Sequence, residues 1–148
     1  AKALEIGAAH AIDYRASDFV EEVGRITGGK GVNLVLDMVS GDYVARNLKC
    51  LAEDGRHVTI AVQGGARAEI NMAVVMMRRY TLTGSTLRPR TAQFKALVAQ
   101  EIARNVWPAV EAGDLRPVMD RVFPLADAAA AHARMEAGAH VGKIVLAI

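Results

Sequence analysis

The chain has 148 residues, 52% hydrophobic and 23% charged, which suits one globular domain with a real core. Its net charge of +2, its interleaved acidic and basic residues and its few aromatic rings argue against a nucleic-acid partner. One cysteine, Cys50, excludes an internal disulfide and a multi-thiolate zinc site, which favours a cytoplasmic setting. No apolar run approaches the roughly 20 residues that span a bilayer, so we expect no membrane partner.

The first part of the chain alternates between predicted strands and helices. The segment "HAIDY", residues 10 to 14, predicts a short strand. A helix capped by Ser17 or Asp18 follows, with apolar residues at helical spacing. Residues 32 to 38 are nearly all apolar without alternation, which predicts a parallel strand covered by helices on both faces.

The same alternation continues to the end of the chain. "GDYVARNLKCLAEDG" predicts a helix ended by Gly55, and strands are predicted at residues 56 to 62 and 80 to 86. Residues 91 to 112 predict a longer helical region that Pro108 divides or bends. "LADAAAAHARMEAG" predicts a last helix and "GKIVLAI" a last strand, so the pattern as a whole indicates an α/β fold with a parallel sheet.

Several residue patterns that could carry chemistry have simpler structural explanations. Gly24 to Lys30 is spaced like a phosphate-binding loop, but Gly31 replaces the required hydroxyl and the motif lies between a helix and a strand. We interpret it as a helix end and turn. Cys50 beside Leu48 predicts a core residue rather than a nucleophile. No metal-ligand spacing is present among the four histidines, His10, His57, His132 and His140.

The carboxyl ends of the predicted strands are the expected binding region, because open α/β sheets bind their ligands there. Three of these ends, in "DMVSG", "IAVQGG" and "TGST", are small turns with glycine that let a flat ligand approach the backbone. On these features alone, ordinary tight turns of an α/β protein are an equal alternative.

Four blocks of sequence carry a family resemblance: "GAAHAIDYRASDF", "ITGGKGVNLVLDMVSGDY", "LAEDGRHVTIA" and "FPLADAAAAHARMEAGAHVGKIVLAI". They closely resemble the quinone oxidoreductase branch of the medium-chain dehydrogenase/reductase superfamily, the zinc-independent NADPH-dependent reductases. The resemblance implies a Rossmann domain joined to a GroES-like catalytic domain. Residues 1 to 148 match the C-terminal part of that dinucleotide-binding domain with the family's last helix and strand. The first two strands, the glycine-rich turn and the GroES-like domain are expected before residue 1.

The resemblance also implies a set of cofactor contacts, carried over position by position. Tyr14 matches a tyrosine whose hydroxyl donates to the adenosine 2′-phosphate, which implies NADPH rather than NADH. Val39 matches the residue that meets the ribose. No residue matches a proton donor, so no catalytic residue is predicted. The remaining matched positions lie beside the nicotinamide, its carboxamide or a final turn near the cofactor: Ile60, Ala61, Val62, Gln63, Gly84, Ser85, Thr86, Gly142 and Lys143.

Two hypotheses for function follow. The first is a truncated nucleotide-binding portion of an NADPH-dependent quinone or enone reductase, which transfers hydride to a conjugated carbonyl. As a fragment it should be inactive and bind cofactor weakly, since the pyrophosphate loop is missing. The alternative is a non-catalytic interaction or oligomerisation domain with a Rossmann-like core. An enzyme predicts an open cleft along the strand-end turns, whereas an interaction domain predicts that they are occluded.

An incomplete Rossmann sheet also leaves unpaired strand edges. Two strands would be missing between residues 10 to 14 and residues 32 to 38, and buried unpaired backbone groups are costly. We therefore expect the strand at residues 10 to 14 to move beside residues 32 to 38, to leave the sheet, or to pair with another chain. Residues 80 to 86 should form the opposite edge, where the resemblance implies a homodimer.

Overall fold

The computed structural model describes all 148 residues, and the chain from residue 3 onward forms two compact units, Ala3–Arg90 and Thr91–Ile148. We call them the N-terminal and C-terminal units and describe each by itself. The elements before Arg90 are the helices α1 Lys2–Glu5, α2 Phe19–Ile26, α3 Tyr43–Cys50 and α4 Met72–Met77, and the strands β1 Val32–Asp37, β2 Leu51–Thr59 and β3 Thr81–Gly84.

The three strands of the N-terminal unit form one parallel sheet in the order β1-β2-β3. Leu36 pairs with Val58, and Val58 pairs with Thr83. This arrangement confirms the predicted α/β class and the strands expected near residues 32, 56 and 80. β3 has one neighbour in the sheet, which confirms that it is an edge strand.

The predicted strand at residues 10 to 14 is wrong, because this segment contains no strand and continues into a turn. The backbone N–H groups of Ala16 and Ser17 donate to the carbonyl oxygen of Asp13, each at 3.0 Å. β1 has β2 as its one neighbour, so the segment has left the sheet, which is one of the three expected outcomes. The physical reason is that a short strand without a hydrogen-bonded partner has no stability of its own.

The α2 helix begins where the sequence predicted. The Asp18 carboxylate accepts a hydrogen bond from the backbone N–H of Val20 at 2.7 Å. The helix ends at Ile26 and is followed by a turn and then β1. The segment from Gly24 to Lys30, which is spaced like a phosphate-binding loop, is therefore a helix end and turn, as the sequence predicted. The ring of Phe19 stacks on that of Tyr43 at 5.6 Å and so packs α2 against α3.

The helix predicted to reach Gly55 is too long, since α3 ends at Cys50 and β2 begins at the next residue. Leu51 is 1% exposed and pairs with Val32, and its carbonyl oxygen accepts a hydrogen bond from the Tyr80 hydroxyl at 3.1 Å. The register then shifts, because Leu34 pairs with Arg56, so the four residues between Leu51 and Arg56 form an irregular stretch within β2. Burial of Leu51 in the core therefore sets the helix end.

The core of the N-terminal unit lies between one face of the sheet and the helices α3 and α4. Leu48, Leu51 and Tyr80 form its centre, and partly buried neighbours pack against it: Val32, Val35, Ile70, Val74 and Val75. The other face of β1 exposes Leu34 by 57% and Leu36 by 60%. Within this unit, the expectation that helices cover both faces of β1 is thus wrong.

The C-terminal unit contains the helices α5 Ala92–Asn105, α6 Trp107–Glu111 and α7 Ala128–Glu136, with a 3₁₀ turn at Leu125–Asp127 and the strands β4 Met119–Pro124 and β5 Lys143–Ala147. The predicted division near Pro108 is confirmed, because α5 ends before Val106 and the proline occupies the first turn of α6. β4 was not predicted. It pairs in parallel with β5, and α7 connects the two strands. None of the helices is long and apolar enough to cross a membrane.

Candidate functional site

The candidate site lies at the carboxyl ends of the three strands of the N-terminal unit. Because the strands are parallel, the ends at Asp37, Thr59 and Gly84 share one edge of the sheet. The segments beyond them stay hydrogen bonded: the backbone N–H of Ile60 donates to Asp37 at 2.8 Å, and that of Ser85 donates to Thr59 at 3.0 Å. The strand ends thus form one continuous surface of backbone and small side chains.

The loops that follow β1 and β2 are joined to each other. The backbone N–H of Gly64 donates to the carbonyl oxygen of Val39 at 2.7 Å, and that of Gln63 donates to Met38 at 3.3 Å. Gly41 has a φ of 58°, and a Cβ atom there would lie 2.5 Å from the carbonyl oxygen of Gly64. Only glycine permits both this backbone conformation and this close approach.

A buried carboxylate holds the turn after β1. Asp37 is 4% exposed, and its Oδ1 accepts hydrogen bonds from the backbone N–H groups of Val39 at 2.8 Å and Ser40 at 2.9 Å. Ser40 has a φ of 60°, in the left-handed region that L residues seldom adopt. The carboxylate therefore stabilises a strained turn.

The second oxygen of Asp37 meets a buried histidine on the neighbouring strand. Asp37 Oδ2 lies 3.1 Å from Nε2 of His57, which is 2% exposed. Asn47 Nδ2 approaches the same His57 nitrogen at 3.5 Å. Burial is the largest influence and by itself would raise the pKa of Asp37, but the bonds from Ser40, Val39 and His57 together outweigh it. The pKa of Asp37 is therefore lowered, and the carboxylate is charged at neutral pH.

The structure brings eight of the predicted cofactor contacts to this edge and leaves most of them accessible. Ile60 is 43% exposed and Val62 53% exposed, whereas Val39 is half-buried against Gly64. The strand-end turns are therefore open rather than occluded. The eight residues are Val39, Ile60, Ala61, Val62, Gln63, Gly84, Ser85 and Thr86.

Tyr14 lies in the turn that replaces the predicted strand, away from the sheet's hydrogen-bonded ladder. Its side chain is exposed, and the guanidinium of Arg15 stands 5.9 Å from the centre of its ring. Asp13 accepts the backbone N–H of Arg15 at 3.0 Å and so shapes the turn that presents both side chains.

Gly142 and Lys143 belong to the C-terminal unit, at the start of β5. Gly142 has a φ of 102°, and a Cβ atom there would lie 2.3 Å from the carbonyl oxygen of Val118. The backbone N–H of Lys143 donates to that same oxygen at 2.8 Å. The glycine is thus required by the pairing of β4 with β5, independently of any ligand.

An ion pair fastens α7 to β4 in the C-terminal unit. Arg134 donates to both carboxylate oxygens of Asp120, with Nη2 at 2.7 Å from Oδ1, and the backbone N–H of Val141 lies 3.3 Å from the same oxygen. Arg134 lowers the pKa of Asp120 to about 2. The Nδ1 atom of the neighbouring His140 is buried without a hydrogen-bond partner.

No three His, Cys, Asp or Glu side chains come together to hold a metal ion. The buried thiol of Cys50 has a raised pKa because burial disfavours its thiolate, so it suits the core position that the sequence predicted. A 420 Å³ cavity lies between α3 and α4, lined by Leu48, Val74, Tyr80 and neighbouring residues. None of its lining residues belongs to the strand-end turns.

The buried group of Asp37, His57 and Asn47 was not predicted as a unit. The sequence offered one signal, an acidic residue at the end of an apolar strand followed by a serine and a glycine. Nothing local indicated that His57, 20 residues further on, would lie beside it.

A parallel sheet with open, glycine-bearing strand ends is typical of the ligand-binding α/β domains. The family model described as zinc-binding dehydrogenase matches residues 6–146. The chain belongs to this family, in the quinone oxidoreductase branch of the medium-chain dehydrogenase/reductase superfamily.

Individual relatives agree with this assignment. The chain is 33% identical to a 2-haloacrylate reductase of Burkholderia sp, covering 97% of this chain and 43% of that protein. It is 30% identical to quinone oxidoreductase 1 of Escherichia coli K12, over 97% of this chain and 44% of that protein. The crystal structure of Escherichia coli quinone oxidoreductase complexed with NADPH superposes with a TM-score of 0.77 at 28% identity, over 97% of this chain and 45% of that one. The chain thus spans less than half the length of these relatives.

Proposed function

We propose that this chain is the nucleotide-binding portion of an NADPH-dependent oxidoreductase that reduces quinones or enones. The observation that carries the proposal is the open carboxyl edge of the β1-β2-β3 sheet, where eight matched residues gather around glycine-bearing turns. The reductases among its relatives support the substrate class, and the NADPH complex of one of them supports the cofactor.

The residues at this edge fit one side of a flat dinucleotide. Gly64 is exposed where the two loops meet, and Ile60 and Val62 offer exposed apolar surface for a ring. When bound, the nicotinamide supplies hydride for a conjugated carbonyl, and the protein supplies orientation and exclusion of water. In this proposal Val39 orients the ribose, and residues 60 to 63 and 84 to 86 line the nicotinamide side. Gly142 and Lys143 remain predicted contacts from the C-terminal unit.

The preference for NADPH over NADH rests on Tyr14 and is reinforced by Arg15. An exposed hydroxyl and an exposed guanidinium on one turn offer a donor and a positive charge to a 2′-phosphate. NADH lacks that phosphate and would gain nothing from either group.

The residues of this chain do not fit a zinc site, despite the family's description. Asp37 and His57 are the one buried carboxylate-imidazole pair at the strand ends, and both Asp37 oxygens are already hydrogen bonded. The proposal therefore places no zinc ion on residues 1 to 148. It assigns no catalytic residue to residues 1 to 148, so the isolated chain should not turn over substrate.

We test the proposal by titrating the 148-residue chain with NADPH and following backbone amide signals by NMR. The expected result is weak binding, in the range of about 1 mM, with shifts at Gln63, Gly84 and Thr86 and none at Gly113 as an internal control. NADH should produce smaller shifts. No shift at the strand ends at 10-fold higher NADPH would contradict the proposal, and tight stoichiometric binding would contradict the weak affinity.

A homodimer formed through the edge of β3 is the second part of the proposal. β3 presents an unpaired edge, and such edges favour pairing with a second copy across a two-fold axis.

The alternative function, a non-catalytic interaction domain, has one observation in its favour. Leu34 and Leu36 expose an apolar stripe on the uncovered face of β1. The open strand-end turns argue against it, because the alternative predicts that they are occluded. A chain that binds no nucleotide yet self-associates through Leu34 and Leu36 would favour this alternative.

A further inference from the structure

His57 is a polar ring in a position where an apolar side chain would be expected. It lies within β2, is 2% exposed, and its neighbours across the sheet are Val35 on β1 and Leu82 on β3. A buried imidazole is tolerated when it is hydrogen bonded, and here its Nε2 faces Asp37 Oδ2 at 3.1 Å.

The donor in this contact follows from the partners of Asp37. An ionised carboxylate only accepts hydrogen bonds, and the backbone N–H groups of Val39 and Ser40 stabilise the charged form of Asp37. Nε2 of His57 therefore carries the proton and donates it to Oδ2, so the approach of Asn47 Nδ2 at 3.5 Å is not a hydrogen bond to that nitrogen. With this bond, each oxygen of Asp37 is engaged and the carboxylate cannot rotate freely.

The carboxylate of Asp37, fixed in orientation by His57, also holds the turn after β1. Oδ1 of Asp37 holds the backbone N–H groups of Val39 and Ser40, and Ser40 needs support because of its positive φ. This turn also holds the loop after β2, because the carbonyl oxygen of Val39 accepts a hydrogen bond from the backbone N–H of Gly64. A continuous series of hydrogen bonds thus runs from the middle of β2 to both strand-end loops.

We propose that His57 is a positioning residue for nucleotide binding, which acts through Asp37 to fix the Val39–Gly41 turn and the loop that carries Gln63. This inference rests on the proposed function, because these two loops are where the nucleotide is proposed to bind. His57 does not touch the nucleotide. It makes the turn rigid before binding, so that the ligand does not have to order it.

The test compares two substitutions of nearly equal length. His57→Gln keeps an N–H donor that reaches the place of Nε2, whereas His57→Met fills similar space without a donor. Tyr80→Phe is the matched control, since it removes one buried hydrogen bond, to Leu51, at the other end of the sheet. For each variant we measure amide hydrogen exchange at Val39 and Ser40 and the dissociation constant for NADPH.

In His57→Met we expect exchange at Val39 and Ser40 to accelerate about tenfold and NADPH affinity to fall by a similar factor, which corresponds to about 1.4 kcal/mol. His57→Gln should restore both quantities most of the way, and Tyr80→Phe should alter neither beyond its effect on global stability. A merely structural role for His57 would make the Met variant and the Tyr80 control behave alike.

Three results would overturn the inference: unchanged exchange at Val39 and Ser40 in His57→Met, faster exchange without weaker NADPH binding, or failure of Gln to rescue. If His57→Met does not fold, the tautomer of His57 in the unmodified chain decides the matter by ¹⁵N NMR. A proton on Nε2 supports the inference, and an unprotonated Nε2 overturns it. If the unmodified chain binds no NADPH, the proposed function fails, while faster exchange in His57→Met still establishes the control of the turn.

Discussion

At the scale of single residues, the charge of Asp37 is subject to two opposing effects at the candidate site, burial and hydrogen bonding. Its burial disfavours a charge, yet two backbone N–H groups and the His57 ring stabilise the carboxylate form more than burial opposes it. The charge of Asp37 therefore stabilises the turn after β1, and a change that removes this charge should destabilise that turn first.

Replacing Asp37 with Asn should lower the free energy of unfolding by about 1 to 3 kcal/mol at pH 7, because bonds to a charged acceptor become bonds to a neutral one. The folded-state pKa of Asp37 is depressed, so its contribution is present above the unfolded value of about 3.9 and is lost as pH falls through the folded value. Urea unfolding from pH 7 to pH 3 should show a flatter pH dependence for Asp37→Asn. Asp42→Asn, at an exposed neighbouring position, should match the unmodified chain at pH 7.

Tyr14→Phe should reduce the preference for NADPH over NADH by about three- to tenfold, since one exposed hydrogen bond to a phosphate is lost. Competition titrations of the two nucleotides measure this ratio. Tyr43→Phe is the control, because the Tyr43 ring stacks on Phe19 between two helices. An unchanged ratio in Tyr14→Phe would remove the basis for the NADPH preference.

At the scale of elements, close backbone contacts decide where strands begin. Gly142 precedes β5, and Val118 precedes β4. The backbones of these two residues lie so close together that Gly142 has no room for a side chain. β2 starts at Leu51 because the core takes up that side chain, although the local pattern continues the helix. In both places packing between elements overrides local preference.

Gly142→Ala should destabilise the chain more than Gly138→Ala, because the close contact and the less favourable φ act together at Gly142. Gly138 has a φ of 63°, where an L residue incurs strain of about 1 to 2 kcal/mol, whereas Gly142 has a φ of 102°, outside the left-handed α region. Gly138 has open space around it, whereas Gly142 faces the Val118 carbonyl. Thermal unfolding should therefore give Gly142→Ala the lower melting temperature of the two variants. Equal melting temperatures would contradict a close contact between Gly142 and Val118 in the β4–β5 pairing.

Removing the Arg134 guanidinium should raise the pKa of Asp120 from about 2 towards its ordinary range, because Arg134 is the largest cause of the depression. The stabilisation from this pair is present above about pH 3.9 and is lost as pH falls towards 2. A ¹³C NMR titration of the Asp120 carboxyl in Arg134→Leu tests the shift. Arg104→Leu, which breaks an exposed pair with Glu101, should leave the Asp120 titration unchanged.

At the scale of the whole molecule, the N-terminal unit has two incomplete boundaries, the outer edge of β3 and the uncovered face of β1. Open edges and apolar sheet faces are surfaces on which further chain or a second copy can pack. The proposed homodimer uses the edge, and backbone hydrogen bonds would dominate that contact.

Leu82→Pro should abolish the proposed dimer while leaving the fold in place. The N–H of Ser85 points to Thr59, so by alternation the N–H of Leu82 points away from β2, towards the open edge. Proline removes that donor, and Leu82→Val keeps it as the control. Sedimentation at micromolar concentration should give a dimer for the unmodified chain and Leu82→Val and a monomer for Leu82→Pro. A monomeric unmodified chain would refute the dimer.

The sequence by itself determined the features that depend on neighbouring residues. The apolar run ending at Asp37 made a parallel strand, Asp18 capped α2, and Pro108 divided the helical region. Residue patterns predicted these because the forces involved act over a few positions along the chain. The resemblance carried by four sequence blocks likewise led to the correct family.

Only the tertiary structure decided the features that depend on partners distant in sequence. The segment at residues 10 to 14 formed no strand because it found no neighbour, whereas β4 formed in spite of its mixed pattern because β5 lay alongside. Asp37 and His57 became one unit because β1 and β2 adopted a particular register. Pairing and burial across 20 or more residues govern these outcomes, and such long-range energies leave no local signature in the sequence.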